Sequence, residues 1–128
     1  MSDAQEQLNA ILVWERVYAW AKAHKQAPFL ATDPRYLKRE ALGISGNPLF
    51  CPLACYINEH IAGSTDWHVS STGKAYRYEY DRGVYYPLPK WAKLAEEAVD
   101  SVGTFVSVDQ ALFVAILEAV KPREEVQP

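Results

Sequence analysis

Cys51 and Cys55 are the only cysteines in the chain, and the segment Cys51-Pro52-Leu53-Ala54-Cys55 is the first place where chemistry could reside. Pro52 suits the first position of a helix, which makes Cys51 its N-cap. A thiol there lies at the positive end of the helix dipole, which lowers its pKa and favours the reactive thiolate. A thiol-dependent enzyme or redox protein using Cys51 is therefore one reading. Two features oppose it. The spacing is CxxxC rather than the CxxC of thioredoxin-like enzymes, and the neighbours Leu49, Phe50, Leu53 and Ala54 are apolar, which raises the pKa by desolvation. Free cysteine is also among the residues most often simply buried. Four positions apart on one helix, the two thiols are poorly directed for a disulfide, so a reducing compartment is expected.

A metal centre would have to draw on Cys51, Cys55, His60, Asp66 and His68. Zinc sites pair C-x₂₋₄-C with H-x₃₋₅-H. The two histidines here are too far apart in sequence for that pattern. At about 100° per residue, His60 also turns well away from Cys55 on the helix. His60 has a plain alternative, favourable interaction with the negative end of the helix. Asp66, His68 and Ser70 form an Asp–His–Ser row on one face of a strand. Neighbours on one strand seldom reach the geometry of nucleophile, base and orienting group, and no GxSxG elbow occurs. Neither GxGxxG nor GxxxxGK[ST] is present. No catalytic residue, metal or cofactor is expected.

The most distinctive chemistry is aromatic. Tyr76, Tyr78 and Tyr80 alternate with Arg77 and Glu79, so they project from one strand face, and Tyr85 or Tyr86 with Trp67 are candidates to join them. Such a face can stack single-stranded bases, but that requires accompanying positive charge. Only Lys74, Arg77 and Arg82 are near, offset by Glu79 and Asp81. A protein partner suits an uncharged tyrosine face better, since tyrosine is enriched at contact hot spots. The expected interaction surface is thus Trp67, Tyr76, Tyr78, Tyr80 and Tyr86. A single-stranded nucleic-acid regulator using Tyr76, Tyr78 and Tyr80 is the alternative. The basic run Arg35-Tyr36-Leu37-Lys38-Arg39 is a weaker cue of the same kind, and a solvated helix face explains it.

These residues must be positioned by a small α+β domain. The 128 residues, 49% hydrophobic and 23% charged, are ordinary for a globular chain that needs no staples. Net charge is −3, which weakens non-specific nucleic-acid binding. The polar start MSDAQEQ reads as no signal peptide, and no apolar run is long enough to span a membrane. A cytoplasmic location follows as an expectation.

Residues 1–121 read as one domain with 122–128 as a disordered tail. Ser2 and Gln5 form a capping box for a first helix to about His24. It carries Leu8, Ile11, Leu12, Trp14, Val17, Tyr18 and Ala21 inward, with Val13 and Trp20 widening the stripe. Asp33-Pro34 starts a short helix to Leu42, capped by Gly43, and 44–50 is a loop. A third helix runs from Pro52 to about Ala62. Residues 66–87 form a two- or three-stranded antiparallel meander, with Asp81-Arg82-Gly83 as a three-residue loop and Gly83 left-handed. Pro89 begins a helix with Trp91, Leu94, Ala95, Ala98, Val99 and Val102 inward and Glu96 outside. Ser107 and Gln110 then cap a last helix, apolar nearly all round, which Pro122 stops. Four to five helices on the meander is the expected architecture. The apolar first and last helices suggest a homo-oligomer or docking on another protein. The overall expectation is a small non-enzymatic protein acting through protein contacts, with no membrane as partner and a protein or a second copy preferred to nucleic acid.

Overall fold

The apolar stretch that opens the chain forms two helices, α1 (Asp3–Ile11) and α2 (Trp14–Ala23), rather than one. On a straight helix turning 100° per residue, the buried set Ala4, Leu8 and Ile11 would point roughly 130° away from Trp14, Val17, Trp20 and Ala21. No single rod can turn both sets inward. The break at Leu12–Val13 re-aims the second set, and its freed carbonyls find partners. The Arg16 guanidinium donates to the Ala10 carbonyl at 2.8 Å, and the Tyr56 hydroxyl donates to the Ile11 carbonyl.

The computed structural model describes residues 3–23, 41–46, 51–61, 66–103 and 106–123. Most of the helix expected from Asp33 lies outside these residues. Its expected end does not, and there the chain is extended. Ala41–Ile44 is strand β1, antiparallel to β5 (Ser107–Asp109), with Gly43 opposite Val108 beside a register irregularity. Gly43 is therefore a strand glycine and caps no helix. The reason is tertiary: Leu42 and Val108 are fully buried, and Ser45 ties the pair together. The Ser45 hydroxyl donates to the Gly103 carbonyl at 2.7 Å and accepts from the Val106 amide at 3.0 Å.

Helix α3 (Pro52–His60) starts as expected, with Pro52 in its first turn and Cys51 at the N-cap. The meander follows as β2 (His68–Val69), β3 (Lys74–Glu79) and β4 (Arg82–Pro87), in the spatial order β2-β3-β4. The β3–β4 loop has two residues, not three. Glu79 pairs with Arg82, and Tyr80 and Asp81 take the turn at φ +53° and +62°. Two positive φ values match the right-handed twist of a hairpin. Gly83 accordingly sits in β4 opposite Tyr78, not in the left-handed region.

Helix α4 (Lys90–Asp100) buries Trp91, Ala92, Ala95, Glu96 and Val99. The inward face is thus rotated from the expected one: Leu94 and Val102 are partly exposed, and Glu96 is inside. Ala92 and Ala95, both fully buried, share this inward face with Glu96. Helix α5 (Gln110–Ala119) is capped by Asp109, whose carboxylate accepts from the Leu112 amide at 2.8 Å. Ser107 is already committed to β5, so the expected cap moves two residues on. Gln110 instead closes α2, donating to the carbonyls of Ala21 and Lys22.

Helices α2 and α5 cover one another. The Trp14 indole donates to the Leu117 carbonyl at 2.9 Å, the Tyr18 hydroxyl to Glu118 at 2.9 Å, and Trp20 meets Phe113 edge-on. Much of the apolar surface that suggested an external partner is spent on this contact. Five helices and two small antiparallel sheets make an α+β fold among the described residues. One apolar cluster runs through it from Ala4 to Leu117. The last described residue is Arg123, so most of the tail expected over 122–128 lies outside the described residues.

Candidate functional site

Strand alternation and register build an aromatic layer on the outer face of the three-stranded sheet. His68 of β2 pairs with Tyr76 of β3, which pairs with Tyr85 of β4. The three rings therefore form a row across the sheet, one per strand. His68 stacks on Tyr76 with centroids 4.8 Å apart and planes at 15°, and Tyr76 meets Tyr85 at 4.9 Å and 30°. Tyr78, two residues along β3, stands edge-on to both Tyr76 (6.0 Å) and His68 (5.8 Å). Such stacked and edge-on pairs favour one another by roughly 0.5–1.5 kcal/mol beyond burial.

Tyr85 reaches its place by leaning over Gly83. A Cβ at Gly83 would lie 3.3 Å from the Tyr85 ring, so a side chain there would press on the ring, and the glycine leaves it room. Tyr78 is 62% exposed, Tyr85 54%, and Tyr80, held out on the strained turn, fully exposed. Tyr76 is half-buried; its hydroxyl pKa is raised, first by burial and then by Tyr78 and Tyr85, so it stays a neutral donor. The central ring has His68 on one face and Tyr85 on the other. The layer consequently offers ring edges and hydroxyl groups to solvent more than open ring faces.

Two residues expected on this surface lie on its opposite side. Trp67 is fully buried and Tyr86 is 9% exposed, their rings 5.5 Å apart. Tyr85 and Tyr86 are neighbours, so the pleat must put one out and one in; the pairing with Tyr76 decides that Tyr85 is out. Asn58 fixes Trp67 through both backbone groups, each at 3.0 Å. The Arg77 guanidinium covers the Trp67 ring at 4.9 Å, Arg77 approaches Glu79 at 3.6 Å, and the Tyr86 hydroxyl donates to Glu79 at 3.1 Å. Trp67 and Tyr86 are core residues, and Tyr85 and His68 take their places on the face.

The other buried chemistry is at the junction of α3 and α4. Cys51 and Cys55 are both buried, and neither is in a disulfide. Burial pushes the Cys51 pKa well up, helped by the Glu96 charge, and it likewise raises Cys55. Desolvation thus outweighs the helix-dipole effect, and both thiols are protonated at neutral pH. Glu96, 2% exposed, was read from the sequence as solvent-facing. Its pKa is pushed up to about 8, chiefly by burial and then by Asp100, and its Oε2 has no hydrogen-bond partner. Its burial carries no distinct signal in the sequence, where it is one of several charged residues on an amphipathic helix.

The remaining constellations do not converge. The Ser70 hydroxyl is bonded to Thr72 at 2.8 Å in the turn before β3, and His68 Nδ1 is buried without a hydrogen-bond partner. His68 Nδ1 therefore bonds neither Asp66 nor Ser70, as a relay through that nitrogen requires. His60 stacks on Tyr56, its Nδ1 2.9 Å from the Tyr56 carbonyl at the end of α3. Among the described residues, no three His, Cys, Asp or Glu side chains are grouped to hold a metal ion. No helix among them is long and apolar enough to cross a membrane.

Compared with known proteins, the chain matches no family model, no curated protein and no solved structure.

Proposed function

We propose that this is a non-enzymatic binding module whose contact surface is the tyrosine face of the β2-β3-β4 sheet. The observation that carries this reading is the combination of order and exposure: Tyr78 and Tyr85 are each more than half exposed yet locked to His68 and Tyr76 by ring contacts, and the fully exposed Tyr80 stands next to them on the turn. Rigid aromatic groups lose little side-chain entropy on binding, and each hydroxyl adds a directional hydrogen bond. A protein partner is favoured over a single strand of nucleic acid. Base stacking needs open ring faces and neighbouring cations, whereas both faces of Tyr76 are taken and Lys74 is the one cation on this side of β3.

The test uses the full chain and a Tyr78→Ala/Tyr80→Ala/Tyr85→Ala variant, which removes exposed rings only. Circular dichroism and thermal melting are expected to report the same fold for both. Cross-linking and affinity capture are expected to yield partners, a second copy included, that the wild type holds and the variant loses. Identical partners for the two proteins would refute the assignment of the face. Oligonucleotide binding that weakens steeply with salt and is lost in the variant would replace the protein partner with nucleic acid.

A further inference from the structure

The outer strand of the three-stranded sheet, β4, has one edge paired with β3 and the other open among the described residues. Alternation along the ladder shows which groups face the open side. The Ser70 amide donates to the Lys74 carbonyl at 2.8 Å, so Lys74 and Tyr76 turn their backbone groups toward β2. Ala75, Arg77 and Glu79 turn theirs toward β4, where they face Tyr86, Val84 and Arg82. The alternate residues Gly83 and Tyr85 therefore direct N–H and C=O outward, and among the described residues no backbone group bonds to them there. An edge of this kind is a template for another extended chain, which proteins guard against with charge, proline or a bulge. Here the guards stand only at the two ends, Arg82 and Pro87, and Gly83-Val84-Tyr85-Tyr86 between them is uncharged.

We propose that β4 pairs antiparallel with β4 of a second copy about a two-fold axis at Val84, joining the two three-stranded sheets edge to edge. This register sets Gly83 against Tyr85 of the second copy and Tyr85 against its Gly83, so every outward N–H and C=O of these residues is matched. The neighbouring registers match fewer. A shift toward Pro87 sets the Gly83 carbonyl against a nitrogen without hydrogen. A shift toward the turn sets Tyr85 against Asp81, which lies outside the strand at φ +62°.

The side chains fit the same axis. Tyr85 leans over Gly83, its ring 3.3 Å from where a Cβ would lie, which carries the ring back across the level of Val84. Two copies thus bring their Tyr85 rings together on the outer face, as an aromatic cross-strand pair. On the opposite face the half-buried Val84 meets its own copy at the close spacing of a non-hydrogen-bonded pair. The exposed Arg82 side chains are carried to opposite ends of the junction, roughly 14 Å apart, so like charges do not meet. Ring against ring and valine against valine, with the arginines apart, select a second copy over an unrelated strand. Tyr78 and Tyr80 take no part, so the edge stands apart from the reading of the tyrosine face.

A junction this short makes a weak dimer, so sedimentation velocity on the full-length protein at about 10–500 μM should show a monomer–dimer equilibrium. Val84→Cys should form an intermolecular disulfide on mild oxidation, because facing Cα atoms about 4.5 Å apart are within bonding range. Arg82→Cys, roughly 14 Å from its copy, should not. Cys51 and Cys55 are buried and leave this readout clear. Val84→Lys and Val84→Glu should each weaken dimerisation at least about tenfold, and an equimolar mixture of the two should regain it. That rescue separates like-charge repulsion from misfolding. Tyr85→Pro removes an outward N–H without touching the ladder to β3 and should also dissociate the dimer, whereas Tyr78→Ala/Tyr80→Ala should leave it unchanged. A chain that stays monomeric throughout, whether or not it takes up an added extended peptide, would overturn the proposal. So would cross-linking of Arg82→Cys as readily as Val84→Cys, or a dimer indifferent to Val84→Lys and Tyr85→Pro. A dimer lost in Tyr78→Ala/Tyr80→Ala would equally overturn it and move self-association to the tyrosine face.

Discussion

Glu96 gives this fold a pH dependence whose sign runs against the usual one for a carboxylate. Its side chain is 2% exposed, Oε2 lacks a hydrogen-bond partner, and its pKa rises from 4.5 to about 8. The folded state thus holds a proton that the unfolded state releases above about pH 4.5. Between the two values the native chain binds more protons than the unfolded one, so this residue's contribution to stability is fully present below about pH 4.5. It declines as pH rises and is lost by about pH 8. At about 1.4 kcal/mol per unit, the interval corresponds to about 4–5 kcal/mol. Glu96→Gln keeps the shape and removes the titration. Its amide brings donors that the site does not satisfy, a cost of about 1–2 kcal/mol at every pH. The variant should therefore be slightly less stable than wild type near pH 5, cross it between about pH 5 and 6, and be clearly the more stable protein by about pH 7–8. Urea denaturation followed by tryptophan fluorescence across about pH 5–9 measures the difference directly. Asp100→Asn removes a charge that raises the Glu96 pKa and should flatten the wild-type slope. A stability difference between wild type and Glu96→Gln that is constant in pH would refute the reasoning.

Four further outcomes follow from local geometry. Tyr80 and Asp81 hold φ of +53° and +62°, so Tyr80→Asn combined with Asp81→Gly should raise stability by about 1–2 kcal/mol in urea melts. Asp109→Ala removes the α5 cap and should cost about 1 kcal/mol, whereas the sequence-based cap would have put that loss at Ser107. Gly73→Ala should destabilise by about 1–3 kcal/mol, because φ is +80° and the new Cβ would lie 2.4 Å from the Lys93 side chain. The Lys93→Ala background should recover only the steric part. Cys51 and Cys55 should react with a thiol reagent near pH 8 only at the rate of unfolding and promptly in denaturant, since burial raises both pKa values.

What the sequence determined by itself was what short-range physics governs. Pro52 after Cys51 set the start of α3, period-two alternation of Tyr76, Tyr78 and Tyr80 set β3 and its face, and helical spacing set α4 and α5. Where two local readings competed, a distant partner decided. Ala41–Ile44 became a strand because β5 pairs with it, and that pairing took Ser107 out of the cap and left the role to Asp109. The α1–α2 break was written in the rotation of the apolar stripe, but only the helices packed against it required both parts to turn inward. The site divided in the same way. Alternation placed three tyrosines together, while cross-strand register chose Tyr85 over Tyr86 and brought in His68. Burial of Glu96 could not be read from a charged residue on an amphipathic helix, because how closely α4 approaches its neighbours is a property of the packed chain.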